Sequence, residues 1–381
     1  MRDSTANDPR IAAPPASLSA ALRAVAVPFL VTRVGVLLVG LAAAVFIGYT
    51  PDAGEPSTWR VALGPARNLL ARWDTFWYLD IASRGYHWNG NPLEQQNVVF
   101  FPLLPLMMRA VGTVIGGHLL IAGLLVSLAA FLAALCWFWR WTTERTDPET
   151  ATAAVWLLSA FPHAIFFSAV YTESLYLLIV VCACYYAERR LFWRAAAIGL
   201  LAGLVRPNGI VLSLPIAVIA FVTNRERGNL VPRSAAVLAP VVGMLCFSAY
   251  LAWRVGDATA WLANQAAWPD NFGIHPAPAP NAHVNLWWIH NALALSVVTT
   301  ALVPLTTGLG VAYGVFVVGN IGPPLLRHGL LSIGRFCSVL FPVFAWLAMR
   351  VQGRARTRLI VAFAVGQAIL AALFFTWHPV V

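Results

Sequence analysis

The segment Arg72-Trp73-Asp74-Thr75-Phe76-Trp77-Tyr78-Leu79-Asp80-Ile81-Ala82-Ser83-Arg84-Gly85-Tyr86 sets two carboxylates among aromatic side chains, and long apolar runs lie on either side of it. Those runs decide the fold. Of 381 residues 60% are hydrophobic and only 10% charged, against roughly 25% charged in soluble domains. Runs of about 20 apolar residues, enough for a helix to cross a hydrocarbon core about 30 Å thick, recur along the chain. The sequence therefore predicts an all-α, polytopic transmembrane protein with about eleven membrane helices, short and broken ones included.

The net charge of +10 comes from 25 basic residues, every one an arginine. Many stand between apolar runs, as in a membrane protein that marks its cytoplasmic loops. A basic stripe interleaved with aromatics on a soluble face is missing, so no nucleic-acid partner is expected. The five cysteines, Cys136, Cys182, Cys184, Cys246 and Cys337, all fall inside apolar runs. Neither disulfides nor a clustered metal site suits that placement.

Residues 1–23 read as a disordered cytoplasmic tail with no apolar signal core. A single transmembrane domain then covers 24–381. Its first span, Ala24 to Gly48, carries Arg33, which is expected to snorkel to the cytoplasmic headgroups. A first extracytoplasmic loop occupies 49–117 and a second 254–285, the latter stiffened by Pro276 to Pro280. Residues 151–187 allow two spans with a break between Phe161 and Glu173. Arg206-Pro207-Asn208-Gly209 interrupts another run, whose basic ends make it a hairpin of short helices. Residues 286–320 are expected to form two helices broken near Pro304, and 350–358 a basic cytoplasmic loop. This topology puts fifteen arginines inside and eight outside. The bias gives an inside N-terminus.

In a helix, Asp74, Trp77, Tyr78 and Ile81 share one face, placing a carboxylate among aromatics at the membrane surface. Desolvation there suits it to take a proton from a sugar or lipid hydroxyl. The competing reading is an interfacial amphipathic helix in which Asp74 only caps the start. Asp80 points to another face and suits a supporting role. Arg206 interrupts an apolar hairpin, which marks it as functional unless it reaches solvent. Glu173 stands at a span end beside Tyr171 and Thr172, where sugar binding, orientation of Asp74, pairing with an arginine and simple capping all remain open. His163, His275, His283, His290 and His378 do not repeat a metal-ligand spacing.

The pattern Trp-Asp-x-x-Trp-Tyr-Leu-x-Ile-Ala-x-x-Gly-Tyr, residues 73–86, followed by Phe-Phe-Pro-Leu-x-Pro-Leu at 100–106, closely resembles the GPI mannosyltransferase II family and its bacterial relatives. Tyr171-Thr172-Glu173, Arg206-Pro207-Asn208-Gly209, and Arg335-Phe336 with Phe341-Pro342 look like later landmarks in the same order. His163 departs from the pattern, where an asparagine-like residue is expected. The resemblance implies a GT-C fold and an inverting glycosyltransferase, a mannosyltransferase fed by a polyprenyl-phosphate-mannose donor. It makes Asp74 the general base, and Trp73, Trp77, Tyr78, Asp80, Arg84, Tyr171, Glu173, Arg206, Asn208 and Arg335 the substrate-binding set. Arg335, Arg206 and Arg84 are the candidates for the donor phosphate.

A phosphate leaves as a stable anion, so no cofactor is expected, although a divalent metal would be compatible. The acceptor is a lipid-linked or surface glycan outside the cytoplasm, and membrane lipid is the remaining partner. All-arginine, alanine-rich usage points to the plasma membrane of a GC-rich bacterium. A transporter or flippase of a lipid-linked sugar, or a non-catalytic scaffold, would share the composition. A carrier would place its charged site near the midplane between two similar halves. No internal repeat is visible.

Overall fold

The computed structural model describes residues 16–48, 68–223, 229–268, 310–328 and 332–378, and regular structure among them is helical. The expectations for the tail at 1–15, the loop at 49–67, the proline segment 276–280, the break near Pro304, and His275, His283 and His290 lie outside the described residues. Helix α1 (Leu18–Phe46) begins six residues before Ala24, because the Ser17 hydroxyl accepts the Ala20 N–H at 3.1 Å and caps the helix there. The amphipathic α2 (Thr75–Arg84) and α3 (Leu103–Val114) follow in the first loop. Then come α4 (Leu119–Thr143), α5 (Pro148–Ala160), α6 (Glu173–Glu188) and α7 (Phe192–Val205). An irregular return, α8 (Pro207–Thr223), leads to α9 (Leu230–Val255). The chain closes with α10 (Val311–His328), α11 (Ile333–Ser338), α12 (Phe341–Arg350) and α13 (Gly353–Phe375).

Four described helices, α1, α4, α9 and α13, are long and apolar enough to cross a membrane, and a fifth span arises if α5 and the turn after it count as one. The protein is thus an all-α, multi-pass membrane protein. The expected total of about eleven also counts shorter apolar helices and undescribed stretches. The predicted basic loop at 350–358 is instead mostly helical: α13 starts at Gly353, and Arg356 turns back onto the carbonyls of Val351 and Ala348. There Arg356 satisfies backbone oxygens at a helix junction.

Close packing joins α7 to α9. A Cβ on Gly203 would overlap the Pro240 carbonyl, and one on Gly243 the Leu200 carbonyl. Small residues let α7 and α9 approach where apolar side chains would hold them apart. A Cβ on Gly209 would meet the Ala202 carbonyl, so α8 folds back on α7 as the predicted short-helix hairpin.

The break after α5 is sharp. The turn Pro162–Ser168 departs from α5 at 81°, which frees backbone carbonyls inside the bundle. Two side chains recover them. Arg33 donates to Ala164 O at 2.5 Å, Ser159 O at 2.7 Å and Ser168 Oγ at 2.9 Å, with its guanidinium over the Phe131 ring. Gln367 donates to Ser159 O and Phe161 O, both at 2.9 Å. Arg33 is therefore buried, correcting the expected snorkelling: the unpaired carbonyls of the elbow hold it more strongly than the headgroups.

Arg33→Leu would leave the Ala164 carbonyl without this donor, and an unsatisfied buried acceptor costs about 1–3 kcal/mol. A lower thermal unfolding midpoint in detergent, with earlier proteolysis near 160–172, is the expected outcome. An unchanged midpoint would show that the elbow is held by other contacts.

Candidate active site

Asp74 owes its position to the residues just before it. Arg72 is fully buried and donates to Phe375 O at 3.0 Å, Asn68 O at 2.5 Å and Ala71 O at 2.9 Å, tying the loop to the end of α13. Trp73 then takes a left-handed backbone, φ 50°, an arrangement that side chains other than glycine rarely adopt. Its ring packs on Trp377 at 5.2 Å. Such a conformation persists only where its surroundings enforce it, and it fixes the direction of the next residue.

Asp74 occupies the cap position of α2 but makes no side-chain capping bond. Its carboxylate Oδ2 accepts from Arg335 Nη1 at 2.9 Å, and its backbone N–H donates to the Tyr171 hydroxyl at 3.2 Å. The capping alternative is thereby set aside: the carboxylate is engaged across 261 positions of sequence. Its side chain is 28% exposed, open to a visiting group.

The elbow after α5 delivers the second wall. Tyr171 and Thr172 lead into Glu173, the first residue of α6, where the helix dipole favours a negative charge. Glu173 is buried at 1% exposure, and its Oε1 accepts from Arg206 Nη2 at 2.7 Å while lying 3.3 Å from Arg335 Nε. Arg206 has an extended backbone between α7 and α8 and also donates to Thr172 Oγ1 at 2.7 Å. It lies over the Tyr176 ring at 5.0 Å.

Four charges thus alternate as Asp74, Arg335, Glu173 and Arg206, running from a half-open end to a closed one. Burial alone would lower the pKa of Arg335, but the charges of Glu173 and then Asp74 more than offset that and hold it fully cationic. Burial, reinforced by Asp74, pushes the phenols of Tyr78 and Tyr171 up and keeps them neutral.

Of the residues singled out in the sequence, Trp73, Asp74, Tyr78, Tyr171, Glu173, Arg206 and Arg335 gather here. Asn208 sits one layer behind: its amide donates to Asn320 Oδ1 at 3.3 Å, and Tyr176 OH donates to the same atom at 2.9 Å. Trp77 stacks on Phe100 at 5.6 Å and meets Trp268 edge-on at 6.0 Å. Asp80 and Arg84 form a separate group. Asp80 Oδ1 accepts from Arg84 Nε at 2.6 Å, and Oδ2 from Asn97 at 2.7 Å, stapling α2 to the following loop. Arg84 is paired there rather than with the four-charge row.

Sequence reasoning missed Asn320, Arg72 and Gly334. Asn320 is fully buried in α10, and a lone amide in the apolar run 315–321 was the available signal. Gly334 matters by its absent side chain. Helix α11 is entered through Ser332 in a left-handed conformation, φ 58°, and a Cβ on Gly334 would overlap the His163 ring.

Gly334→Ala is expected to displace Arg335 at an overpacking cost of about 1–3 kcal/mol. Its activity should recover when His163→Ala is combined with it. A double variant no better than Gly334→Ala alone would show that the contact does not position Arg335.

Among the described residues no group of three histidines, cysteines or acids is placed to hold a metal ion. His163 is buried against Gly334, and His378 pairs with Thr376 Oγ1 at 2.9 Å.

Residues 59–225 match the family described as mannosyltransferase (PIG-V). The chain is also 30% identical over 152 residues to the GPI alpha-1,6-mannosyltransferase 2 of Rattus norvegicus, an alignment covering 37% of this chain and 30% of that protein. These matches support the resemblance carried by the first-loop motif. The matched segment holds Asp74, Glu173 and Arg206, whereas Arg335 lies beyond it.

Proposed function

We propose that this chain, a relative of the mannosyltransferase (PIG-V) family through residues 59–225, is a membrane mannosyltransferase that uses a polyprenyl-phosphate-mannose donor. The observation that carries the reading is the Asp74 carboxylate, released from capping, partly open and paired with Arg335 at 2.9 Å. A base and a cation side by side are the two groups such a transfer needs. The acceptor is a lipid-linked or surface glycan, and one transmembrane domain over 24–381 carries the activity. The arginine bias between loops favours an extracytoplasmic site in a bacterial plasma membrane.

In the proposed step an acceptor hydroxyl gives its proton to Asp74 as its oxygen bonds to C1 of the mannose. The bond from C1 to the phosphate oxygen breaks, and its electron pair leaves with the polyprenyl phosphate. Attack from the face opposite the leaving group inverts the anomeric centre. Charge grows on the departing phosphate, where a fixed guanidinium is worth more than solvent because it does not have to reorganise. Arg335 is the partly exposed arginine of the row and fits that task, while Arg206 is closed in behind Glu173.

The test is transfer of labelled mannose from polyprenyl-phosphate-mannose to membrane glycans by the purified protein in lipid. Labelled product is expected. Transbilayer movement of the donor without transfer would overturn the reading in favour of a carrier.

A further inference from the structure

We propose that Glu173 is the positioning residue of this site: buried between two guanidinium groups, it divides Arg335 between itself and Asp74 and so keeps the Asp74 carboxylate open to an acceptor hydroxyl. The inference rests on the transferase reading and departs from a direct sugar contact for Glu173. Three observations carry it. Glu173 is 1% exposed, too enclosed to meet a substrate hydroxyl without rearrangement. Its Oε1 accepts from Arg206 Nη2 at 2.7 Å and lies 3.3 Å from Arg335 Nε, an ion pair without a hydrogen bond. Arg335 in turn offers Asp74 a single nitrogen, Nη1, and does not close on it as a two-pronged fork.

That last geometry is the point. A guanidinium facing one carboxylate alone tends to grip it with two parallel bonds, which occupies both oxygens. With the Glu173 charge 3.3 Å from Nε, Arg335 is shared between the two acids, and only Oδ2 of Asp74 is held. The other carboxylate oxygen is left for the proton that must be taken. The groups facing the pair are Tyr78 from α2, Tyr171 and Thr172 from the elbow, Arg206 before α8 and Arg335 from α11. Tyr78 and Tyr171 are held neutral by burial, so the division is between the two acids and the two arginines.

The experiment is a kinetic comparison of Glu173→Gln and Glu173→Asp with the wild-type protein in lipid. Glu173→Gln should lower kcat by up to about 100-fold, the scale of a small misplacement of a reacting group. Donor KM should not rise, because a negative charge near the phosphate site has been removed. Glu173→Asp keeps the charge and should recover most of the lost kcat. In an Arg335→Gln background, Glu173→Gln should add little, since the residue acts through that arginine.

A raised donor KM with kcat intact would overturn the proposal in favour of sugar binding. So would effects that multiply in the double variant, or a Glu173→Asp protein no better than Glu173→Gln. The same cycle read by thermal unfolding should show Glu173 and Arg335 coupled. That readout needs no turnover, so absence of coupling sinks this proposal while absence of wild-type transfer sinks the functional reading.

Discussion

Asp74→Asn should cut mannosyl transfer by about 10²- to 10⁴-fold, the usual contribution of a general base, while the protein stays folded in the membrane. Asparagine has the same shape and keeps an oxygen for Arg335 to donate to, but it has no carboxylate to receive a proton. Structural damage should be small because Asp74 caps nothing and its side chain is partly exposed. Arg335 would retain Glu173 at 3.3 Å as a counter-charge. Single-turnover transfer with thermal unfolding as the control checks both halves of the statement. Equal transfer by the two proteins would remove Asp74 from the mechanism.

Arg335→Gln has the second largest expected effect, and it should fall on the donor. Loss of a charge-assisted hydrogen bond is worth about 1.5–3 kcal/mol, which is a factor of about 10 to 150 in kcat/KM for the donor. Acceptor dependence should change much less. The fold should survive because the more deeply buried acid, Glu173, keeps Arg206 at 2.7 Å. The opposite substitution pattern is harsher: removing Arg206 would strip Glu173 of its nearer partner, and breaking a buried pair costs about 3–5 kcal/mol. Donor titrations at saturating acceptor separate the cases. A donor dependence identical to wild type would deny Arg335 the phosphate.

How much of this was legible in the sequence depended on distance along the chain. The first-loop motif is contiguous, so its aromatic face, its acid and its family resemblance could all be read directly. The elbow was visible because Pro162 interrupts an apolar run. The ion pair between Asp74 and Arg335 was not, since nothing local records a partner hundreds of residues away. Asp80 was legible as facing away from Asp74 with a supporting role, but its pairing with Arg84 at i, i+4, which holds Arg84 apart from the four-charge row, was not.

Arg33 and Asn320 show a different limit. Sequence gives a polar residue in an apolar run but neither its depth nor its neighbours. Arg33 was assigned to the headgroups because arginine is long enough to reach them, yet the unwound turn at 162–168 offered carbonyls that a cation could satisfy inside the bundle. Asn320 passed unnoticed because it was read as the last residue of the run 286–320, whereas it lies inside α10. Both residues support the site from behind, where spacing carries no information.

Everything proposed for the chemistry turns on Arg335 meeting a phosphate while Asp74 faces the opposite side of the sugar. The most direct measurement is a cryo-EM map of the protein in lipid with polyprenyl phosphate bound. The phosphate is predicted within hydrogen-bonding distance of the Arg335 guanidinium, with the free oxygen of Asp74 facing a cavity beside it. A phosphate bound away from Arg335, or an Asp74 carboxylate sealed from that cavity, would contradict the account.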